Sequence, residues 1–386
     1  MEMIPYSCQS IDDRDVEAVV RALRSDFLTQ GPEIPAFEQA MAQLHGVDHC
    51  VAVANATAAL HLACLAIGLG PGDRAWTVPN SFVASANCIR YCGAEVDFVD
   101  IDPASRNMSV DRLAEKLTQA ERDGQLPNAV IPVDFSGYPA DLPALRALAD
   151  QYGFRIIADA SHAVGASLDG AMIGSKWSDI TVFSFHAVKI VTTAEGGMCA
   201  TQDAELAQRI RLLASHGITR DPALMAHGSA GGWYYEQIAL GFNYRMTDLQ
   251  AALGRSQLSR LPAMHARRTE LAARYDRLLE PLPVKLLQQR PGAISALHLY
   301  AIEIDRDGCG TLRRAVFDRL RGAGIGVNVH YIPIHLQPDY TALGFYKGQF
   351  PAAEAYYDAA LSLPLHPRLT SIQQDRVVHE LAAALV

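Results

Sequence analysis

The sequence predicts an α/β protein with a large domain over residues 1–250, built on a seven-stranded, mainly parallel sheet, and a small C-terminal α+β domain over residues 251–386. Three observations predict it. Short apolar runs of strand length alternate with helical stretches between residues 50 and 201, as in a parallel sheet covered on both faces. Beyond residue 247 the pattern changes to long helices and then to a mixture of strands and helices. Three of the strand-length runs end in chemistry-bearing residues, and ligands of such sheets sit beyond the strand C-termini.

In chain order, Asp12–Arg24 carries Val16, Val19, Val20 and Leu23 at helical spacing behind an Asp cap. Pro35–His45 reads as a second short helix. The strand candidates are Cys50–Asn55, Ala75–Pro79, Glu95–Ile101, Asn128–Phe135, Arg155–Ser161, Ile180–Phe185 and Gly197–Thr201. Helical stretches such as Asp111–Ala120 and Asp141–Gln151 lie between them. Thr247–Leu279 is helix-rich on both sides of Pro262 and links to the second domain. Gln288–Ala293 is a loop marked by Pro291-Gly292. Then come a strand at Leu299–Ile304, a helix at Thr311–Arg321, a strand at Val327–Ile332, and helices at Ala352–Leu361 and Ser371–Leu385. Pro222–Gly232, rich in Gly and Ala, is expected to be a mobile loop.

Composition bounds the function. A chain of 386 residues, 49% hydrophobic and 19% charged, is long enough for a large shared core. A net charge of −9 without a Lys/Arg run argues against nucleic-acid or anionic-membrane partners. The seven cysteines, Cys8, Cys50, Cys64, Cys88, Cys92, Cys199 and Cys309, are scattered without a Cys-x-x-Cys, which suits reduced thiols in the cytoplasm. The histidines show no zinc-site spacing, so no metal is expected. Met1–Pro5 lacks the basic and apolar regions of a signal peptide. Val51–Gly70 is mostly apolar but is broken by Asn55, Thr57 and His61, and reads as strand, turn and helix rather than a membrane span.

Ser184-Phe185-His186-Ala187-Val188-Lys189 places a lysine where an apolar run meets Thr192-Thr193-Ala194-Glu195-Gly196-Gly197. An ammonium is poor core material. A desolvated lysine loses its proton readily and becomes a nucleophile toward an aldehyde, the chemistry of a Schiff base with pyridoxal phosphate (PLP). The alternative is an ordinary lysine at a strand end. Upstream, Arg155–His162 is a buried-strand pattern ending in Asp159. Such an Asp can pair with a pyridinium nitrogen or can cap the following turn. Further upstream, Val51–Leu60 gives a strand, a small-residue turn and a helix, whose open N–H groups and Thr57 hydroxyl would cradle a phosphate.

With these motifs the chain resembles the DegT/DnrJ/EryC1/StrS sugar aminotransferases. Within that family it is most similar to the transaminases that form UDP-4-amino-4,6-dideoxy-N-acetyl-β-L-altrosamine in pseudaminic acid biosynthesis. The resemblance runs from about Pro5 to Pro367 and is carried by Phe27–Gly31, Asn55–Thr57, Ser81–Asn87, Asp159–Ala163, Ser184–Gly197, Gly241–Met246 and Asn328–Tyr331. It implies the type I fold of PLP-dependent transferases. It also implies that Lys189 binds the cofactor aldehyde and shuttles the proton, while Asp159 holds the ring nitrogen protonated. Phe82 corresponds to the aromatic that stacks on the ring, although spacing alone equally allows a core phenylalanine. His162 corresponds to the residue at the ring hydroxyl, where many relatives carry Gln.

The resemblance assigns phosphate contacts to Ser184, Thr57 and Ala56. Ala56 replaces a common Gly, so its φ must be negative. Asn243 corresponds to a residue supplied by the neighbouring subunit, which implies a homodimer with shared sites. Tyr6, Asp26, Phe27, Leu28, Thr29, Asn328, Val329, His330 and Tyr331 correspond to sugar-nucleotide contacts. His186 is read as a packing or hydrogen-bonding residue. The spacing of His330 and His335 on a strand sends them to opposite faces, against a metal reading.

The implied reaction takes an amino group from L-glutamate, through pyridoxamine phosphate, to the C4 keto group of a UDP-linked 4-keto-6-deoxy-N-acetyl-hexosamine. The alternatives are another nucleotide-linked keto sugar (GDP- or dTDP-), a PLP-fold sugar dehydratase, which Lys189 argues against, and a non-catalytic protein that kept the fold.

Overall fold

The computed structural model describes residues 3–228, 230–305, 308 and 310–386. Its central sheet contains all seven expected strands: β1 His49–Val53, β2 Arg74–Thr77, β3 Glu95–Phe98, β4 Ala129–Ile131, β5 Arg155–Asp159, β6 Ile180–Ser184 and β7 Gly197–Thr201. Their order across the sheet is β1-β7-β6-β5-β4-β2-β3. The ladders from β6 to β3 are parallel, and β7 runs antiparallel to both its neighbours. The C-terminal ends of β1, β5 and β6 therefore share one edge, where Gly197 lies opposite both Val53 and Ser184. Residues 185–196 loop between β6 and β7 at that edge and carry Lys189.

The strands are buried on both faces, which explains their near-continuous apolar sequence. Successive residues of β5 enter opposite cores: Ile156 and Ala158 join Trp76, Val130 and Phe183, while Ile157 joins Val51, Ala129 and Val182. Helix α1 (Asp13–Leu23) begins at Asp12, whose side chain forms a capping box with Asp15. Helix α2 (Glu33–His45) follows it. Helix α3 (Ala56–Ala66) follows β1 directly, with Asn55 as its N-cap. Val51–Gly70 is thus strand, turn and helix, as expected. Among the described residues no helix is long and apolar enough to cross a membrane.

Helices Val110–Asp123 and Leu142–Tyr152 occupy the expected positions between strands. Thr247 caps the helix Asp248–Ser259, which packs against α1 and α2, and the next helix, Leu261–Leu279, carries Pro262 in its first turn. A three-stranded sheet, Val284–Leu286, Tyr300–Ile304 and Ala360–Leu363, follows. Within Tyr300–Ile304, Tyr300, Ile302 and Ile304 pack with Leu271, Tyr275, Leu320 and Val377, whereas Ala301 faces the core of the large sheet. This strand joins the two cores by its alternation.

The C-terminal part corrects several expectations. Val327–Ile332 is irregular, and only Asn328 forms a bridge, to Ser362. Its apolar residues are held by loop packing instead of a ladder. The helix expected over Ala352–Leu361 ends at Ala359 and gives way to the strand Ala360–Leu363, whose four residues are all buried. Ala293, expected in a loop, pairs with Leu168. The described residues of Pro222–Gly232 form no helix or strand. Six cysteines are free thiols. Cys309 lies outside the described residues, as do Met1 and Glu2.

Ala194, within the loop that carries Lys189, is exposed and has φ +67°. A non-glycine residue in this region costs about 1–2 kcal/mol, partly offset by the larger entropy glycine loses on folding, about 0.5–1 kcal/mol. Ala194→Gly is therefore expected to stabilise the protein by about 0.5–1 kcal/mol and to raise Tm by about 1–2 °C. Thermal unfolding checks this, and an unchanged or lower Tm would contradict it.

Candidate active site

One cavity of about 710 Å³ opens at the shared strand edge, and Tyr6, Ala56, Thr57, Phe82, Asp159, His162, Ser184, Lys189, His330 and Tyr331 all contribute to its wall. Each arrives there for a local reason. Asn55 follows β1 and accepts the Ala58 N–H with its side chain at 2.8 Å, starting α3. Ala56 and Thr57 line the cavity, and their amides precede the helix's own hydrogen-bond ladder. Ala56 has no positive φ, as expected where alanine replaces glycine. The turn also depends on Gly197, whose β-carbon would lie 2.4 Å from the Asn55 carbonyl and 2.6 Å from the Ala56 nitrogen.

Asp159 ends β5 and is only 4% exposed. The Ser85 hydroxyl donates to its Oδ2 at 2.7 Å, and the Ser161 N–H donates to its Oδ1 at 3.1 Å. The turn-capping use is thus present, and the carboxylate still faces the cavity. Ser81 shares a hydrogen bond with Ser85 at 2.8 Å, extending the chain to the cavity wall.

Lys189 lies in the turn after β6, its N–H donating to the His186 carbonyl at 2.9 Å. The Ser7 hydroxyl donates to the neighbouring Val188 carbonyl at 3.1 Å. The lysine is half-buried and contributes to the cavity wall. Burial lowers its pKa to about 8, against an opposing pull from the Asp159 carboxylate. Lys189 thus has the character of a nucleophile near neutral pH.

Phe82 is 59% exposed, which decides against a core phenylalanine and leaves a ring face available on the cavity. His162 is buried, with Nε2 3.1 Å from the Tyr331 hydroxyl and no partner for Nδ1. Burial, then the Lys189 charge, hold its pKa well below the usual value, so it is neutral. His330 bonds through Nδ1 to the Ser362 hydroxyl at 2.8 Å, and burial lowers its pKa to about 4. Tyr6 packs its ring on His330 at 5.7 Å. The N-terminal segment reaches this place through hydrogen bonds of Ile4 with Gly324 and Gly326, and of the Tyr6 carbonyl with the Leu365 N–H.

The other expected residues lie elsewhere. Asp26, Phe27, Leu28 and Thr29 are exposed outside the cavity wall, tied to the start of the helix Asp248–Ser259 through Leu28 and Thr29. Asn243 is exposed and forms a bridge with Ser215. Asn328 stands behind His330, with Nδ2 3.3 Å from its Nε2, and its Oδ1 accepts the Val329 N–H. His186 is exposed at the cavity mouth, 3.8 Å from Glu195, rather than packed. His335 is fully buried against Glu354 at 2.8 Å, away from His330's surroundings. The cavity also includes His61, Tyr91, Tyr244 and His298, which sequence reasoning missed. Histidines inside the apolar runs Val51–Gly70 and Ala296–Tyr300 were the available signals for His61 and His298, because buried polar residues are uncommon in such runs.

These residues fit PLP. An amine of lowered pKa, a buried carboxylate, the first residues of a helix N-terminus, a free aromatic face and a neutral imidazole all meet at one cavity. The profile of the DegT/DnrJ/EryC1/StrS aminotransferase family matches residues 9–382. The chain belongs to this family and is a PLP-dependent sugar aminotransferase. It is 39% identical to the spore coat polysaccharide biosynthesis protein SpsC of Bacillus subtilis (strain 168), over 97% of this chain and 95% of that one. Among solved structures it is similar to Helicobacter pylori PseC, an aminotransferase involved in the biosynthesis of pseudoaminic acid. The TM-score there is 0.91 at 29% identity, covering 100% of this chain and 99% of that one. It is also similar to the putative sugar aminotransferase Spr1654 of Streptococcus pneumoniae in its PLP form, with TM-score 0.88 and 29% identity over 99% and 98% of the two chains.

Proposed function

We propose that this enzyme moves the amino group of L-glutamate to the C4 keto group of a UDP-linked 4-keto-6-deoxy-N-acetyl-hexosamine, in a cytoplasmic route to a nonulosonic acid of the pseudaminic type. The observation that carries the reading is the convergence of Lys189, Asp159 and the α3 N-terminus on one cavity. At about 710 Å³ the cavity is large within the range of small-molecule sites, roughly 300–1,000 Å³, so a substrate has room beside a cofactor. The similarity to PseC supports the sugar, and the free thiols suit the compartment.

When bound, PLP supplies an aldehyde that captures amines and a ring that takes up the electron pair left on the substrate carbon. Ala56, Thr57 and Ser184 would hold its phosphate, Phe82 would cover a ring face, His162 would meet the ring hydroxyl, and Asp159 would keep the ring nitrogen protonated. Lys189 moves the proton to and from the reacting carbon. Tyr6, His330 and Tyr331 bind the sugar nucleotide from the cavity side. Asn328 and Val329 support them, and Asp26, Phe27, Leu28 and Thr29 complete the subsite for the nucleotide in the assembled enzyme.

Bleaching of the visible band by glutamate, with release of 2-oxoglutarate, tests the half reaction. A panel of UDP-, GDP- and dTDP-4-keto-6-deoxy sugars then tests the substrate. Amination confined to GDP- or dTDP-sugars would overturn the UDP assignment.

The proposal includes a homodimer with shared sites. Asn243 is exposed in the single chain and available to a second copy. Losing its hydrogen bond to a charged phosphate costs about 1.5–3 kcal/mol, so Asn243→Ala should weaken PLP retention without dissociating the dimer. Mixed with Lys189→Ala chains, it should recover activity, because a heterodimer places both lesions in one site. No recovery in a sample shown to contain heterodimers would count against shared sites.

A further inference from the structure

Cys64, Cys88 and Cys92 meet in the core between α3 and the helix α4 (Ala84–Tyr91). Cys64 and Cys88 are fully buried, and Cys92, the C-cap of α4, is 8% exposed. A free thiol in a core is usually a small apolar filler. These three differ in their company. The Cys64 thiol hydrogen-bonds with Cys88 and Cys92, and Cys92 hydrogen-bonds in turn with His61. The bonds from Cys64 and then His61 hold the Cys92 thiol below the ordinary thiol range against the opposing effect of burial. The bonds to Cys88 and Cys92, and then burial, hold Cys64 well above it. One thiol thus ionises readily beside another that stays protonated, which suits an attacking and a resolving cysteine.

The cluster borders the cavity. His61 stands one turn before Cys64 and Tyr91 stands next to Cys92, and both line the cavity, their ring centroids 5.5 Å apart. The two sulfurs also lie where the backbone can adjust. Cys64 is in the last turn of α3, followed by Gly68 at φ +87°, and Cys92 is followed by Gly93 at φ +78°. A disulfide needs its sulfurs about 2 Å apart, and helix ends shift more readily than helix interiors.

We propose that Cys92 and Cys64 are a peroxide-sensitive dithiol, whose oxidation to a disulfide ties α3 to α4 and loosens the phosphate cradle at the N-terminus of α3. Hydrogen peroxide is the oxidant. The Cys92 thiolate attacks one peroxide oxygen, the O–O bond breaks, and the departing hydroxide leaves as water with the proton Cys92 had lost. The Cys64 sulfur then attacks the sulfenic sulfur. The S–S bond forms, the S–O bond breaks, and the hydroxyl leaves with the Cys64 proton as a second water. Peroxide gains two electrons, one from each sulfur. Ser85 on Asp159 and Asn87 on Tyr340 pin α4, so the displacement falls on α3. Thr57 lies two turns before Cys64, roughly 10 Å along the same helix, and a shift there turns the Ala56 and Thr57 amides away from the phosphate.

Full-length holoenzyme treated with a small excess of hydrogen peroxide, then alkylated and digested, should yield a peptide linked through Cys64 and Cys92. PLP affinity, read by equilibrium dialysis, should fall about tenfold, the scale of one weakened hydrogen bond to a charged group, and recover with dithiothreitol. Cys92→Ala and Cys64→Ala should hold PLP equally well before and after the treatment. Cys64→Ala should also keep a sulfenic acid on Cys92 that dimedone captures. Cys88→Ala should respond as the wild type does.

Two thiols still free after treatment overturn the proposal, and so does a Cys92→Ala enzyme that releases PLP on oxidation as the wild type does. Should neither alanine variant fold, Cys92→Ser gives the same comparison. A mapped Cys64–Cys92 bond that leaves PLP affinity unchanged overturns the coupling to the site. That coupling rests on the reading of the α3 N-terminus as the phosphate site, which Thr57→Ala tests alone in reduced enzyme: weaker PLP binding there upholds the cradle whatever peroxide does.

Discussion

Lys189→Ala is expected to leave a folded protein that takes up PLP without its lysine-linked visible band and transaminates at least about 10²–10⁴-fold more slowly. Two functions are lost together: the amine that holds the aldehyde and the base that carries the proton. The fold should persist, because the turn around Lys189 is held by the backbone bond to His186, by Ser7 on Val188, and by the β6–β7 ladder. Absorbance, a half reaction started from supplied pyridoxamine phosphate, and thermal unfolding form the test. Near-normal turnover in the folded variant would remove Lys189 from the mechanism.

The lysine's environment also fixes a pH dependence. An amine must be unprotonated to attack an aldehyde, and burial brings Lys189 down to about 8 from an ordinary value of 10.5. The rate at which cofactor-free protein captures PLP should therefore rise between about pH 7 and 9 and level off above that. Stopped-flow absorbance across pH measures it. A rate that climbs steadily to pH 10.5 would show an amine with ordinary acidity.

Much of the large sheet was legible because its strands are buried on both faces, so β4, β5 and β6 read as unbroken apolar runs closed by turn residues. Lys189, Asp159 and Thr57 were legible for a related reason: a strand end marks the only place in such a sheet where a polar group reaches a ligand. The C-terminal part was harder. Ala360–Leu363 follows a helix without a breaker, and its strand character comes from pairing with Tyr300–Ile304, a partner about 60 residues away. Val327–Ile332 has the alternation of a strand but finds no ladder to join. His298 was missed because a loop places it beside His162, and nothing near either residue in the chain encodes that meeting.

Asp159→Asn tests the electrostatics of the ring partner and should lower kcat roughly 10²–10³-fold, the scale of losing one preorganised charge partner, with a much smaller change in KM. The substitution is nearly isosteric. The Ser161 N–H can still donate to the amide oxygen while the Ser85 hydroxyl turns to accept from the amide NH2, and burial is unchanged, so folding should be retained. What disappears is the negative charge that keeps the ring nitrogen protonated and able to draw electrons from the substrate carbon. The same charge raises the Lys189 pKa against desolvation. Its removal should therefore shift the capture profile of Lys189 to lower pH, opposite to the direction expected if the mutation merely opened the site to water. The two readouts are independent. A variant with wild-type kcat and raised KM would make Asp159 a binding residue, while a profile that does not move, or moves upward, would show that its carboxylate does not act on the lysine.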